Sequence, residues 1–273
     1  MKVLISTDIE GVAGVYHHEQ ARAGNPEYER ARVLMAHEAN AAIAGAFDAG
    51  ASEVLVNDSH GGFRNMPPDV LDARARVVQG KPRYLSMVAG VEEDGVEAVC
   101  MVGYHSRAQG RGILAHTING FAFAGIRFGD QELGEAGIYG ALAGEYGVPV
   151  VMGSGDDVFI SENRALFPHA TFVETKKATG FNSGVSLSPE QSRKAIRAGV
   201  VEALAARGRA KPLVFEGPQV VTLRTQSPMM ADLFCQWPSF ERVDGVTLRF
   251  SAGTVEAAVR MLNCCSAMSS MLR

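Results

Sequence analysis

The sequence lacks clustered positive charge, CxxC metal motifs and long apolar runs. Its 273 residues carry a formal net charge of -4, and no block of lysine or arginine indicates a nucleic-acid partner. The apolar runs are too short to span a membrane, and no basic segment at the N-terminus indicates a signal peptide. The four cysteines are Cys100, Cys235, Cys264 and Cys265. We expect them to be reduced thiols and the protein to be cytoplasmic, without a nucleic-acid or membrane partner.

Four short apolar runs divide the first 156 residues. They are KVLIST (2–7), EVLVND (53–58), AVCMVG (98–103) and PVVMGSG (149–155). Short bounded runs of this kind are typical of buried strands in a mostly parallel sheet. Between them lie an Ala-rich helical pattern at 28–50 and a second pattern, rich in small residues, between Gly134 and Gly147. Strands that alternate with helices predict an α/β fold, with a mostly parallel sheet flanked by helices.

The last third of the chain has a different pattern. Ser188, Pro189 and Gln191 together are typical of a helix N-terminus. The Asp244-Gly245 pair indicates a turn between two short strands. We therefore predict an α/β domain over residues 1–180 and a smaller α+β part over residues 181–273, with a soft boundary between them.

Residues that commonly bind metals follow each of the four predicted strands. They are Asp8 and Glu10 after the first, His60 after the second, His105 after the third, and the Asp156-Asp157 pair after the fourth. Parallel α/β sheets bind ligands beyond the carboxyl ends of their strands. Carboxylates and imidazoles that meet at such an edge suit zinc, and two divalent ions about 3.5–4 Å apart activate water for hydrolysis. The pattern therefore favours a two-metal site in the domain over residues 1–180.

Taken singly, each of these residues has an ordinary structural explanation. An aspartate at a strand end often caps the next helix, and Asp156 and Asp157 suit that role equally well. A lone histidine is more often a hydrogen-bonded structural residue than a metal ligand. The coincidence of several such residues at one sheet edge is what favours the metal site.

The segment STDIEG at 6–11 resembles the SxDxEG signature of the M55 peptidases, a family of zinc-dependent D-aminopeptidases. Other segments resemble the same family, in family order and over nearly the whole chain. They include YERARVLMAHEAN, EVLVNDSHGG, GYHSRA, AHTING and ELGEAGIYGALAGEYGVPVVM. The resemblance implies that this chain is a metallo-aminopeptidase with two zinc ions per subunit.

The resemblance also implies roles for individual residues. Asp8 would bridge the two ions, and His116 of AHTING would be the active-site histidine. His116 would donate a hydrogen bond to the oxyanion or protonate the leaving amine. The five implied zinc ligands are Asp8, Glu10, His60, His105 and Glu135. Glu135 follows no predicted strand, and only the resemblance identifies it.

The function implied by the resemblance is zinc-dependent removal of residues from the free N-terminus of short peptides, such as D-Ala-D-Ala. It also implies a homodecamer of two stacked five-membered rings, with the active sites facing an internal channel. An L-specific or general aminopeptidase of the same family is an alternative.

Two alternatives outside the family remain. A two-metal phosphoesterase is disfavoured because the chain has no GxxxxGK[ST] loop and no arginine cluster around the candidate ligands. A metal-stabilised scaffold is disfavoured because structural zinc sites are usually closed and rich in cysteine.

Overall fold

The computed structural model describes all residues from 1 to 273. Its strands are β1 (Lys2–Thr7), β2 (Glu53–Asp58), β3 (Arg76–Val78), β4 (Val96–Val102), β5 (Phe123–Phe128), β6 (Gln131–Glu132), β7 (Val150–Asp156), β8 (Thr171–Gly180), β9 (Ser183–Ser186), β10 (Gln219–Thr225), β11 (Glu241–Arg242) and β12 (Thr247–Ala252). Its helices are α1 (His18–Ala21), α2 (Pro26–Asp48), α3 (Glu135–Glu145), α4 (Asp157–Asn163), α5 (Pro189–Ala205), α6 (Pro228–Phe234) and α7 (Val255–Met268). None of these helices combines the length and the apolar character needed to cross a membrane.

The larger sheet has seven strands in the order β3-β2-β1-β4-β7-β8-β9. Neighbouring strands are parallel, except for the β8–β9 hairpin at one edge. The four apolar runs form strands of this sheet, as predicted, and these strands, β2, β1, β4 and β7, lie side by side. Ile5 pairs with Val56 on one side and with Cys100 on the other. The prediction of a mostly parallel sheet flanked by helices is confirmed.

Helices α2 and α5 cover one face of this sheet. Ile43 of α2 and Ile196 of α5 are buried in the same cluster as Val3 and Ile5 of β1. The two helices approach so closely that a Cβ at Gly45 would lie 2.6 Å from the carbonyl oxygen of Arg197. The helix α5 starts as predicted from the sequence, since the Ser188 hydroxyl accepts a hydrogen bond from the Gln191 N–H at 3.3 Å.

The opposite face of the larger sheet packs against α3, α7 and a second sheet. Leu4 points to this face because side chains alternate along a strand, and it lies in one cluster with Leu142, Phe128 and Phe250. The second sheet is antiparallel, with the order β11-β12-β10-β5-β6. The Asp244-Gly245 turn joins β11 to β12, as predicted.

The second sheet combines strands from both sides of residue 180. Strands β5 and β6 precede that residue, whereas β10, β11 and β12 follow it. Ile126 of β5 pairs with Leu223 of β10. The soft boundary near residue 180 therefore does not separate one sheet from the other.

The larger sheet changes its direction of growth between β1 and β4. The chain adds β2 and β3 on one side of β1, and then adds β4, β7 and β8 on the other side. In open α/β sheets, such a switch point creates a crevice beyond the carboxyl ends of the two central strands. The residues that follow β1 and β4 therefore line a natural binding site.

Candidate metal centre

The loop after β1 lies directly against the loop after β4. The backbone N–H of Gly11 donates to the carbonyl oxygen of Gly103 at 2.7 Å. A Cβ at Gly11 would lie 1.9 Å from the carbonyl oxygen of Tyr104, and a Cβ at Gly103 would lie 2.3 Å from that of Asp8. Only glycine permits this approach. The glycine that follows Glu10 in the STDIEG segment thus brings the first loop against the second.

Five of the residues singled out from the sequence meet at this crevice. Asp8 and Glu10 follow β1, His60 follows β2, His105 follows β4, and Glu135 begins α3. The three carboxylates are buried, with exposed fractions of 2% for Asp8, 5% for Glu10 and 4% for Glu135. Buried carboxylates are costly unless positive charge or hydrogen bonds compensate them. Such a group of acidic side chains therefore requires cations nearby.

Asp8 lies between the two histidines. Its Oδ1 is 3.1 Å from Nδ1 of His60, and its Oδ2 is 3.3 Å from Nε2 of His105. Glu10 completes the His60 side, with its Oε2 3.0 Å from Nδ1 of His60. Glu135 completes the His105 side, with its Oε2 3.5 Å from Nε2 of His105. The site therefore divides into two halves that share the Asp8 carboxylate.

Backbone carbonyls fix the orientation of both imidazoles. Nε2–H of His60 donates to the carbonyl oxygen of Ala21 at 2.7 Å, and Nδ1–H of His105 donates to that of Ser106 at 2.9 Å. A neutral imidazole held in this way presents its lone pair to the carboxylates, so a positive charge has to lie between them. Metal-binding histidines typically donate their other ring N–H to a carbonyl or carboxylate.

The donor atoms suit zinc. Glu10 Oε2 and His105 Nε2 are buried and have no hydrogen-bond partner. The separations of 3.0–3.5 Å between donor atoms lie within about 0.3 Å of the roughly 3.3–3.6 Å expected for ligands bound tetrahedrally at about 2.0–2.2 Å from zinc. Carboxylate oxygen and imidazole nitrogen are both common zinc ligands. The side chains present therefore fit the implied metal.

The electrostatics of the site favour bound positive charge. Burial disfavours ionised Asp8, but the protonated imidazoles of His105 and His60 beside it outweigh this cost and hold the pKa of Asp8 well below its usual range. Desolvation likewise disfavours the imidazolium forms of His60 and His105. The surrounding carboxylates outweigh this desolvation cost and raise the pKa of both histidines. Glu10 has the largest effect on His60, and Glu135 has the largest effect on His105.

His116 lies beside this cluster and faces the crevice. Its Nδ1–H donates to the carbonyl oxygen of Leu114 at 2.9 Å, and its Nε2 is 3.6 Å from Oε1 of Glu135. Its side chain is 25% exposed, against 1% for His105. Its donor atoms lie within 4.8 Å of those of His105 and Glu135, so distance alone permits it to be a ligand. Its exposure distinguishes it from the buried ligands and suits contact with substrate.

Two cavities meet at His116. A cavity of about 470 Å³ includes Glu10 and Phe181, and one of about 860 Å³ includes Asp8 and Glu135. The five non-glycine residues with positive φ all line one of these cavities. They are Phe63, Ser86, Gln109, Leu114 and Ile118. Backbone strain of this kind concentrates at functional sites, where the surrounding structure maintains it.

The Asp156-Asp157 pair does not join the cluster. Asp156 caps α4, since its Oδ1 accepts from the Phe159 N–H at 2.8 Å, and its Oδ2 accepts from the Ile113 N–H at 2.7 Å. Asp157 accepts a hydrogen bond from the Ala178 N–H at 2.7 Å. The capping alternative thus describes Asp156, whereas Asp157 binds the backbone of β8 instead of capping the helix that follows.

Sequence reasoning missed the residues that hold the Glu10 loop in place. The buried ammonium of Lys176 donates to the carbonyl oxygens of Glu10 and Val15, and the Thr175 hydroxyl donates to that of Gly11 at 2.7 Å. Both residues belong to β8. A single lysine within a strand carries no pattern that would distinguish it from its exposed neighbour Lys177.

Three comparisons relate the chain to known proteins. The M55 peptidase family model, described as D-aminopeptidase, matches residues 1–264. A D-aminopeptidase of Bacillus subtilis (strain 168) is 32% identical over 247 residues, which cover 90% of this chain and 89% of the relative. A solved structure is described as Zn-dependent D-aminopeptidase DppA from Bacillus subtilis, a self-compartmentalizing protease. It matches with a TM-score of 0.95 at 30% identity, and the match covers 99% of this chain and 98% of that one.

Proposed function

The chain belongs to the M55 peptidase family of D-aminopeptidases, and from this premise we propose that it is a zinc-dependent aminopeptidase of short peptides. The substrates are peptides with a free N-terminus, and D-amino-acid peptides such as D-Ala-D-Ala are the expected class. The observation that carries the proposal is the Asp8 carboxylate, whose two oxygens face His60 and His105 in a buried acidic crevice.

Two zinc ions per chain would be held by the two halves of the site. Asp8, Glu10 and His60 form one half, and Asp8, His105 and Glu135 form the other. When bound, zinc supplies a Lewis acid for the scissile carbonyl and lowers the pKa of the attacking water toward neutrality. All five proposed ligands and His116 fall within residues 1–180. We propose that these residues are the catalytic α/β domain and that residues 181–273 are the α+β part.

His116 acts on the substrate rather than on the metal. Since its Nδ1–H is bonded to the Leu114 carbonyl, its Nε2 is the nitrogen available to the substrate. From that position, Nε2–H of the protonated imidazole donates to the negative oxygen that develops on the carbonyl, or transfers its proton to the leaving amine. This nitrogen lies 3.6 Å from Oε1 of Glu135, at the edge of the ligand cluster.

The assay that tests this function compares matched dipeptides. Zinc-loaded protein is incubated with D-Ala-D-Ala and with L-Ala-L-Ala, each with and without a chelator. We expect cleavage of the D-form that the chelator abolishes and that added zinc restores. Cleavage of the L-form alone would replace the proposed specificity with that of an L-aminopeptidase. No cleavage of either dipeptide, together with hydrolysis of a chromogenic phosphate ester, would contradict the proposal.

We further propose that the chain assembles as a homodecamer of two five-membered rings and acts in the cytoplasm. A self-compartmentalizing assembly is described for the solved relative that matches over 99% of this chain. The four free thiols suit a reducing compartment. Light scattering should give a mass about ten times the 29.1 kDa of one chain. A monomeric mass would contradict the proposed assembly.

A further inference from the structure

The cavity of about 860 Å³ contains a positive charge that the proposed mechanism does not use. Lys81 lies on its wall, in the same cavity as the candidate ligands Asp8, His60 and Glu135. The Lys81 ammonium has no hydrogen-bond or ion-pair partner in the protein, and the residue is only partly covered by its neighbours. A cation without a partner beside an acidic site is available to an anionic group of the substrate.

Lys81 is connected through Phe63 to the turn that carries His60. Its Nζ lies over the ring of Phe63, 4.3 Å from the centroid. The backbone N–H of Phe63 donates to the carbonyl oxygen of His60 at 2.8 Å, and the N–H of Gly80 donates to that of Phe63 at 2.6 Å. Phe63 therefore links the turn that carries His60 to the segment that carries Lys81, through its backbone and its ring.

The other two cations on this cavity wall are less suited to bind an anion. Arg83 donates four hydrogen bonds to groups of the protein, including the carbonyls of Ser86 and Asp58. Arg273 lies over the Phe121 ring, 5.1 Å from its centroid, and no contact joins it to the turn that carries His60. Lys81 is thus the cation that is both unpartnered and tied to the metal-binding turn.

The environment of Lys81 favours an added negative charge. Desolvation, with a smaller effect from the charge of Arg83, lowers the pKa of the Lys81 ammonium below its usual range. An anion within hydrogen-bond distance would offset both effects. In a dipeptide, the free carboxylate lies one residue beyond the scissile bond, about 3.8 Å of chain. A cation that binds this carboxylate therefore has to share the cavity with the metal ligands, as Lys81 does.

We propose that Lys81 binds the free C-terminal carboxylate of the substrate and makes this aminopeptidase selective for dipeptides. The inference rests on the proposed function, since it assigns one end of the substrate of that same site. Removal of the carboxylate charge should weaken binding and turnover roughly ten- to hundredfold, the usual range for a charge-assisted hydrogen bond.

The test is a ratio of rates for two substrates that differ only at the C-terminus. The zinc-loaded enzyme is assayed on D-Ala-D-Ala and on D-Ala-D-Ala amide, and kcat/KM is compared. We expect wild type to prefer the free acid at least tenfold. In Lys81→Met the acid-to-amide ratio should fall to about one, and in Lys81→Arg most of the preference for the acid should return. In the exposed control Lys211→Met the ratio should equal that of wild type.

A second readout does not depend on turnover. The reduced-bond analogue of D-Ala-D-Ala and its C-terminal amide are titrated into wild type and Lys81→Met by calorimetry. Wild type should bind the free acid at least tenfold more tightly, and Lys81→Met should bind both equally. If no dipeptide is cleaved, the function proposed above fails, while this comparison still decides the role of Lys81. The inference is overturned if wild type binds acid and amide equally. It is also overturned if the preference for the free acid is lost in Arg273→Gln and kept in Lys81→Met.

Discussion

The imidazole of His116 stacks on that of His105, with ring centroids 4.1 Å apart and planes inclined by 11°. Each ring is fixed by a hydrogen bond from Nδ1–H to a backbone carbonyl, that of Leu114 for His116 and that of Ser106 for His105. The two histidines nevertheless differ in surroundings, because His105 is enclosed by carboxylates and His116 opens into the cavities. This difference separates the proposed ligand from the proposed catalytic residue.

The first prediction concerns His116. In His116→Ala we expect the zinc content and the fold to be retained and kcat to fall on the order of 10²- to 10⁴-fold, the usual contribution of a general acid. Metal analysis and steady-state kinetics on D-Ala-D-Ala check this, with the exposed His169→Ala as the matched control. Full activity of the variant would remove the catalytic role, and loss of zinc would make His116 a ligand.

The second prediction concerns a proposed ligand. In His60→Ala we expect zinc to fall from two ions per chain toward one and activity to be lost, because Asp8 and Glu10 retain no imidazole on their side of the site. Metal content after dialysis against a weak chelator measures this directly. A variant that keeps two ions per chain would show that His60 is not a ligand.

The third prediction concerns the support of the Glu10 loop. In Lys176→Met the carbonyls of Glu10 and Val15 lose their donor, so we expect the free energy of unfolding to fall by about 1–3 kcal/mol. Zinc affinity should fall about 10- to 100-fold, since the loop that positions Glu10 is no longer held. Urea unfolding and zinc titration measure the two effects. The neighbouring exposed Lys177→Met is the control, and equal effects in both variants would argue against a positioning role.

The fourth prediction concerns pH and the buried Glu38. Desolvation raises the pKa of Glu38 above its usual value, and the hydrogen bonds from Ser192 and Ala13 oppose the shift only in part. Because the folded protein holds this proton more tightly, the contribution to stability is full below the unfolded pKa of about 4.3 and is lost as pH rises through the folded pKa.

The measurement is urea unfolding across pH for wild type and Glu38→Gln. The quantity of interest is the difference in the free energy of unfolding, wild type minus Glu38→Gln. We expect this difference to decrease as pH rises from about 4 and to level off above the folded pKa of Glu38. The exposed Glu202→Gln is the matched control. A difference that does not change with pH would mean that Glu38 titrates in the folded protein as it does in the unfolded chain.

Local patterns predicted the parts of the fold that depend on short stretches of chain. The strand that begins at Lys2, the helix cap at Ser188 and the turn at Asp244 are each encoded by a few consecutive residues. The pairing of Ile126 with Leu223 is not encoded locally, because it joins strands nearly a hundred residues apart. The mixed origin of the second sheet therefore could not be read from the sequence.

The candidate site shows the same division. Asp8 and His105 follow strands, so their meeting at one sheet edge follows from the parallel topology. Glu135 comes from the first turn of α3, where a carboxylate is equally suited to the helix N-terminus, and only the resemblance to a family identified it. Lys81 and Lys176 act through contacts with distant segments, which no spacing along the chain reveals.

The most direct measurement of the central claim is an anomalous difference map collected at the zinc absorption edge, from crystals of the zinc-loaded protein. We predict two peaks per chain, one on each side of the Asp8 carboxylate. The first should lie against Glu10 and His60, and the second against His105 and Glu135. A map without a peak beside Asp8, or with zinc only at another place on the protein, would contradict the two-metal site and the hydrolytic function derived from it.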